Sequence, residues 1–139
     1  MGAVILGPPG AGRGRLLDEA LRVRVAHYGR YAADHLGVDD VLAARRESVV
    51  AVSPIVGGAA LKGPADRMLT ELGHEASVVG VARLYAPIAG TLVIDPLDAH
   101  LAADVEALGM RAVVTDSVMR TPAIAHSLAS TVLSCVRLP

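Results

Sequence analysis

The sequence predicts an α/β protein in which helices cover both faces of a parallel sheet. Short apolar runs alternate along the chain with helical patterns, and right-handed crossovers between such runs produce parallel strands. Hydrophobic residues make up 53% of the 139 positions and are nearly all aliphatic, with three Tyr and neither Phe nor Trp. Aliphatic strands of this kind are typical of sheets buried on both faces. We therefore expect a three-layer, Rossmann-like parallel sheet.

Residues 1–37 are predicted to form an irregular N-terminal segment, and residues 38–139 the α/β domain. The N-terminal segment contains one short strand pattern, the apolar run Gly2–Gly7. The glycine- and proline-rich residues that follow this run are similar to the phosphate loop of nucleotide kinases. That loop needs a lysine where this chain has Arg13, and no hydroxyl follows for the metal. A flexible turn is therefore the favoured interpretation.

The first strand, turn and helix of the α/β domain are predicted within Ser48–Met68. The β-branched residues up to Val52 are typical of a strand buried on both faces. Pro54 ends this strand because proline has no N–H to donate to a neighbouring strand. Two glycines then allow the chain to turn, and a Gly-Pro pair opens a helix that ends at Gly73.

This succession of strand, glycine turn, basic residue and helix start is suited to binding a phosphate or another anion. Lys62, the only lysine in the chain, gives the anion interpretation some additional support. An ordinary β–α connection without a ligand explains the pattern equally well, because a single glycine turn is a weak signal. The candidate substrate-binding residues of the stretch are Ser53, Pro54, Gly57, Gly58, Lys62 and Gly63.

The other elements of the domain are predicted from hydrophobic periodicity and from helix start and stop signals. They are a helix at Val38–Arg46, an apolar run at Ala76–Val81 that continues to Tyr85, strands at Thr91–Asp95 and Arg111–Asp116, a helix at Asp98–Leu108, and a final helix from Thr121 with apolar positions Ile124, Leu128, Val132 and Cys135.

Polar residues stand at the carboxyl ends of the predicted strands, at Ser53, Asp95 and Asp116. Ligands of open parallel sheets bind beyond these ends, so the three side chains are the best placed to face one. Asp116 is equally suited to hold a metal ion or hydroxyl and to cap its own turn. Asp95, which precedes a proline, is favoured as a turn former, and Arg83 as an exposed helix residue rather than a phosphate ligand.

Composition excludes several classes of function. The net charge is −1, without a basic run and with few aromatic residues, so we expect no nucleic-acid partner. A single cysteine, Cys135, excludes an internal disulfide framework and a cysteine-rich zinc site. His and Asp side chains in residues 27–40 have no spacing that unites them on one helix face, so no protein metal site is predicted. No run approaches the roughly 20 apolar residues that span a bilayer, and we expect a cytoplasmic protein.

Four segments carry a resemblance to a known family: VVAVSPIVGGAALKGPADRML, GVARLYA, LVIDPLDA and VEALGMRAVVTDSVM. In this order and spacing, from about Val38 to Leu133, the sequence resembles the 2-phospho-L-lactate transferase family of coenzyme F-420 biosynthesis. The family usually has a histidine where this chain has Leu84. Family members are longer, and Pro9-Gly10 stand where the family has a Ser-Asn-Pro motif. We therefore expect the carboxyl-terminal portion of the family fold, in a truncated form that lacks full activity alone.

The resemblance implies transfer of a phospho-lactyl or phospho-enolpyruvyl group from a guanylyl-activated donor to the deazaflavin FO. GMP leaves, and a magnesium ion assists. The resemblance favours the Ser53–Gly58 turn and Lys62 for the donor, with Asp116 as a weaker candidate, and leaves the catalytic residues unknown. A non-catalytic guanine-nucleotide-binding or self-associating module is the alternative, and homodimer formation is compatible with either. The sequence does not decide whether this chain is itself an enzyme.

Overall fold

The computed structural model describes residues 42–61 and 63–136. After a helical turn at residues 42–44 and a 3-10 helix at Arg46–Ser48, the elements are β1 (Val50–Val52), β2 (Ile55–Val56), β3 (Ala59–Ala60), α1 (Ala65–Glu71), α2 (Val78–Tyr85), β4 (Thr91–Ile94), a 3-10 helix (Pro96–Leu101), α3 (Ala102–Ala107), β5 (Arg111–Val114) and α4 (Pro122–Cys135).

Strands β1, β4 and β5 form a parallel sheet in the order β1–β4–β5. Val50 pairs with Thr91, which in turn pairs with Arg111, so the three strands start in register. Each connection between neighbouring strands contains helix, as parallel crossovers require. The predicted α/β fold with a parallel sheet is therefore confirmed.

The two faces of the sheet bury different helices. Val50, Val52 and Val93 point to one face, where they pack with Leu128, Val132 and Cys135 of α4. Ala51, Leu92 and Ile94 point to the other face and join the larger cluster, which contains residues of α1, α2 and α3. This alternation follows from the two-residue period of a strand. Helices on both faces, and the buried side of the final helix, were predicted from the sequence.

The proline, glycine and capping signals in the sequence coincide with the ends of most helices and strands. Strand β1 stops before Ser53-Pro54, and α1 is followed by Gly73 with a φ of 78°. Thr121 caps α4 by accepting a hydrogen bond from the Ile124 N–H at 3.2 Å. Arg83 is exposed and lies 3.9 Å from the Glu75 carboxylate, as expected of a surface helix residue.

Three predictions need correction or extension. The apolar run at Ala76–Val81 lies largely within helix α2, because Ser77 caps the helix by accepting from the Val79 and Gly80 N–H groups. The helix predicted at Asp98–Leu108 begins as a 3-10 helix before it becomes α3. Between β1 and α1, strands β2 and β3 pair antiparallel, which sequence reasoning missed.

Several predictions lie outside the described residues. They concern the division of the chain at residue 37, the strand at Gly2–Gly7, the kinase-like loop around Arg13, the start of the Val38–Arg46 helix and the side chain of Lys62. Across the described ranges, every helix is too short or too polar to cross a membrane.

Candidate functional site

The candidate site lies where β1, β4 and β5 end, here called the carboxyl edge of the sheet. Three segments leave the strands at this edge. They are the β2–β3 hairpin (residues 53–60), the β4 connection (residues 95–101) and the β5 loop (residues 115–120). Hydrogen bonds between these segments determine which polar groups a ligand can reach.

Ser53 begins the hairpin and is 2% exposed. Its main-chain N–H extends the sheet by donating to the Val93 carbonyl at 2.9 Å. Its hydroxyl donates to the Ile55 carbonyl at 2.9 Å and accepts from the Ile55 N–H at 3.1 Å. Pro54 beside it is also buried. The Ser53 hydroxyl therefore fixes the start of the hairpin, and a direct contact with substrate stays a prediction.

Gly57 and Gly58 form the exposed turn of the hairpin, with φ values of 59° and 78°. Successive positive φ values are typical of the tight turns that match the twist of a hairpin, and glycine adopts them without steric cost. The predicted turn is therefore present. Gly63 is also exposed, with a φ of 78°, and it precedes α1. The described main chain of these three glycines is reachable from solvent.

Asp98, in the β4 connection, holds the hairpin turn. It is 2% exposed, and its two carboxylate oxygens lie 3.0 Å and 3.2 Å from the Gly57 nitrogen, which donates its N–H to them. In this arrangement the Gly57 N–H is already engaged by an anion. Any phosphate contact of the turn must therefore use other groups, because two anions would compete for one donor.

Asp95 joins the β4 connection to the β5 loop. One carboxylate oxygen accepts from the Leu97 N–H at 3.1 Å, so the predicted turn role is confirmed. The other oxygen accepts from both the N–H and the hydroxyl of Ser117, each at 3.2 Å. Asp95 and Ser117 are both buried. These contacts fix the residue that follows Asp116 in the β5 loop.

Asp116 itself is exposed at the carboxyl edge. Its side chain forms no hydrogen bond or ion pair with the described part of the chain. Asp116 is therefore available to a ligand in a way that Asp95 and Asp98 are not. Its function as a substrate contact stays a prediction.

The described residues contain no cluster of three possible metal ligands. Nowhere in residues 42–61 and 63–136 do three His, Cys, Asp or Glu side chains lie together in a way that could hold an ion. The carboxylates of Asp95 and Asp98 are instead occupied by N–H and hydroxyl donors. The magnesium ion implied by the family resemblance stays a prediction, because one or two carboxylates together with substrate phosphates are the usual ligands of this ion.

Sequence reasoning missed the roles of Asp98 and Ser117. Asp98 lies in LVIDPLDA, a segment quoted for the family resemblance, but it was treated only as the start of a helix. Its partner Gly57 is 41 positions away, and Asp95 and Ser117 are 22 positions apart. An acidic residue one turn after a strand-ending aspartate was the available signal, but it does not identify the partner.

Comparison with known proteins gives partial matches to two kinds of transferase. The chain is 40% identical over 83 residues to the 2-phospho-L-lactate transferase of Methanothermobacter thermautotrophicus and 33% identical over 90 residues to that of Methanococcoides burtonii. These matches cover 60% and 65% of this chain, but 26% and 29% of the relatives. The phosphoenolpyruvate transferase of Kitasatospora aureofaciens is 45% identical over 76 residues, which are 53% of this chain and 23% of that protein.

No model of a protein family matches the chain. The curated relatives are all named as transferases, of 2-phospho-L-lactate or of phosphoenolpyruvate, and the matches span only about a quarter of the length of each relative. A partial match of this extent agrees with the resemblance to one portion of the family chain. Over its matching part, this chain is therefore similar to 2-phospho-L-lactate transferases and to a phosphoenolpyruvate transferase.

Proposed function

We propose that this chain binds a guanylyl-activated donor at the carboxyl edge, within a 2-phospho-L-lactate transferase-like reaction. The donor carries phospho-lactate or phospho-enolpyruvate, and the acceptor is the deazaflavin FO. An FO hydroxyl attacks the phosphorus of the transferred group, the bond to GMP breaks, and GMP leaves. The proposal is supported by relatives named for 2-phospho-L-lactate and for phosphoenolpyruvate, and these names leave both donors open.

The observation that carries the proposal is the arrangement of the three carboxyl-edge segments. The exposed Gly57-Gly58 turn and the exposed Asp116 belong to segments that flank the end of β4. Both segments are hydrogen bonded to the β4 connection, through Asp98 and Asp95. Open parallel sheets bind ligands in this position, and fixed groups of this kind orient a substrate at little entropic cost.

In this proposal the protein contributes mainly positioning and charge stabilisation. Gly58, Gly63 and Lys62 would contact the diphosphate of the donor, and Asp116 would contact a hydroxyl of the donor or acceptor. Magnesium belongs to the proposal through the family resemblance alone. A cytoplasmic location also belongs to it, because the proposed donor is a charged nucleotide derivative.

Calorimetry with GDP and magnesium, followed by an assay of GMP release with the donor and FO, tests the proposal. We expect the chain to bind GDP and Lys62→Ala to weaken binding by about tenfold, since a charge-assisted phosphate contact contributes about 1.5 kcal/mol or more. Asp104→Asn, a change on the exposed side of α3, is the control. Binding without GMP release would favour the non-catalytic nucleotide-binding alternative. Absence of GDP binding would contradict the proposal.

Self-association is a second candidate, because β5 is an edge strand of the sheet that the described residues form. Val114 at its end is 44% exposed, and Arg111 at its start is also exposed. An edge strand with few protecting charges can pair with the same strand of another copy. Light scattering after gel filtration tests this directly, and Val114→Lys should shift a dimer toward monomer. A monomer at all concentrations would eliminate this candidate.

A further inference from the structure

The β4 connection contains two buried carboxylates. One accepts a hydrogen bond from the loop on its β1 side, and the other accepts from the loop on its β5 side. Asp98 accepts from the Gly57 N–H in the hairpin after β1, and Asp95 accepts from the N–H and hydroxyl of Ser117 in the loop after β5. Strand β4 lies between β1 and β5. One short segment therefore fixes both of the loops that flank it.

The burial of Asp98 makes its contact with the hairpin significant. A buried carboxylate is costly unless it is hydrogen bonded, and Asp98 is 2% exposed. Among the described residues, the Gly57 N–H is the one donor that reaches it. Hydrogen bonds to an ionised acceptor are stronger than neutral ones. The carboxylate therefore favours the hairpin conformation that presents the Gly57 N–H.

The hairpin turn needs such a restraint because of its glycines. Gly57 and Gly58 both have positive φ values, and the turn is exposed at its tip. Glycine loses more conformational freedom on ordering than any other residue. A hydrogen bond from outside the hairpin offsets part of this cost. Without it, we expect the turn to sample other conformations.

We propose that Asp98 and Asp95 are positioning residues that set the hairpin turn and the β5 loop for ligand binding. The proposal rests on the proposed function for the identity of the ligand, but the positioning itself does not depend on it. Neither carboxylate contacts the donor, because both are buried and repel an anion. Asp98 acts through Gly57, and Asp95 acts through Ser117.

Amide hydrogen exchange measured by NMR tests the positioning of the hairpin without a ligand. In Asp98→Ala, exchange at Gly57 should be about tenfold faster or more, because a charge-assisted hydrogen bond is lost. In Asp98→Asn, the side-chain oxygen still accepts from Gly57, and the rise should be about threefold. Exchange at Leu92 in the buried centre of β4 should not change, nor should any of these amides in the control Asp104→Asn.

Unchanged exchange at Gly57 in Asp98→Ala would overturn the proposal. An equal acceleration at Leu92 would also overturn it, since that result indicates general destabilisation. If Asp98→Ala does not fold, Asp98→Asn decides alone, and the absence of a local rise in that variant counts against the proposal. For the second arm, Asp95→Asn should accelerate exchange at Ser117, and unchanged exchange there would remove Asp95 from the proposal.

GDP calorimetry then connects positioning to binding. We expect Asp98→Ala to bind GDP several-fold more weakly than the unaltered chain, by the factor by which the binding-competent turn loses population, and Asp98→Asn to restore most of the affinity. Equal GDP affinity in Asp98→Ala and the unaltered chain would overturn the role in ligand binding. If the unaltered chain itself does not bind GDP, the proposed function fails, while the exchange data still decide whether Asp98 orders the turn.

Discussion

The two edges of the sheet are built with side chains of opposite charge. At the carboxyl edge, Asp95 and Asp98 accept hydrogen bonds from main-chain N–H groups. At the other end, here called the amino edge, Arg46 donates from Nε to the Ala86 carbonyl at 2.6 Å and from Nη2 to the Gly109 carbonyl. Each side chain thus joins segments that are distant in sequence. The carboxyl edge uses carboxylate acceptors, and the amino edge uses guanidinium donors.

The polarity of the main chain explains this difference. Helices α2 and α3 end at the amino edge, and the last turn of a helix leaves carbonyl groups without partners. Cationic side chains satisfy such carbonyls. The segments after β1, β4 and β5 begin turns and helices, which leave N–H groups without partners, and carboxylates satisfy those. Because all strands of a parallel sheet run in the same direction, arginine is favoured at the amino edge and aspartate at the carboxyl edge.

Each edge also has a glycine in close contact with another segment. A Cβ added to Gly90 at the amino edge would lie 2.9 Å from the Arg46 carbonyl oxygen. A Cβ added to Gly80, in the first turn of α2 on the carboxyl-edge side, would lie 2.0 Å from the Glu75 carbonyl oxygen. Gly80 begins the GVARLYA segment of the family resemblance. Its steric role gives a physical reason for a glycine there.

The largest expected effect comes from the Gly80 contact. Gly80→Ala should lower the free energy of unfolding by about 3 kcal/mol, because a methyl group is forced against main-chain atoms that cannot rotate away. The urea midpoint measures this loss. Gly73→Ala is the control, since nothing lies within 4 Å of its Cβ position and only the φ of 78° is unfavourable. That variant should lose about 1 kcal/mol, and equal losses in the two variants would show that the Glu75 contact is not tight.

An intermediate effect is expected from Arg46 at the amino edge. Arg46→Ala should lower the free energy of unfolding by about 2 kcal/mol, because two carbonyl groups lose a charged donor. Arg45→Ala, which removes an exposed neighbouring arginine, should have little effect. Hydrogen exchange at Gly57 should remain unchanged in Arg46→Ala. A selective acceleration of exchange at Gly57 would show that the two edges are coupled, which contradicts their independent stabilisation.

A smaller effect is expected from Ser117 at the carboxyl edge. Ser117→Ala removes the hydroxyl that donates to Asp95 but keeps the N–H that donates to the same oxygen. We expect a loss of about 1 kcal/mol in the free energy of unfolding, measured in urea. Ser134→Ala is the matched control, because the Ser134 hydroxyl forms a local, exposed hydrogen bond in α4. A loss no greater than that of the control would indicate that the N–H alone holds the β5 loop.

Much of the fold was predictable because its signals are local. Pro54 ends β1, Thr121 and the proline after it start α4, and the glycines of the hairpin mark its turn. The helix α2 was harder to recognise, because a short, mainly apolar run such as Ala76–Val81 suits a buried helix as well as a buried strand. The β2–β3 hairpin was missed because strands of two residues leave almost no periodic pattern.

The location of Ser53, Asp95 and Asp116 at the strand ends was predictable, but their contacts were not. The rule for open parallel sheets directs attention to the ends of β1, β4 and β5, where Ser53, Asp95 and Asp116 lie, and ligand binding there stays a prediction. It did not distinguish Asp116, which is exposed, from Asp95, which is occupied by Ser117. Burial and hydrogen-bond partners depend on packing between segments, and a strand-end rule contains no information on packing.

The sequence by itself determined the fold class, the ends of most elements and the resemblance to the 2-phospho-L-lactate transferase family. Each of these depends on residues close together in the chain or on short segments read in order. Only the tertiary structure decided that Asp98 binds Gly57, that Asp95 binds Ser117 and that Arg46 binds the Ala86 and Gly109 carbonyls. These partners are separated by 22 to 63 positions, and only the packing of helices on a parallel sheet brings them within hydrogen-bonding distance.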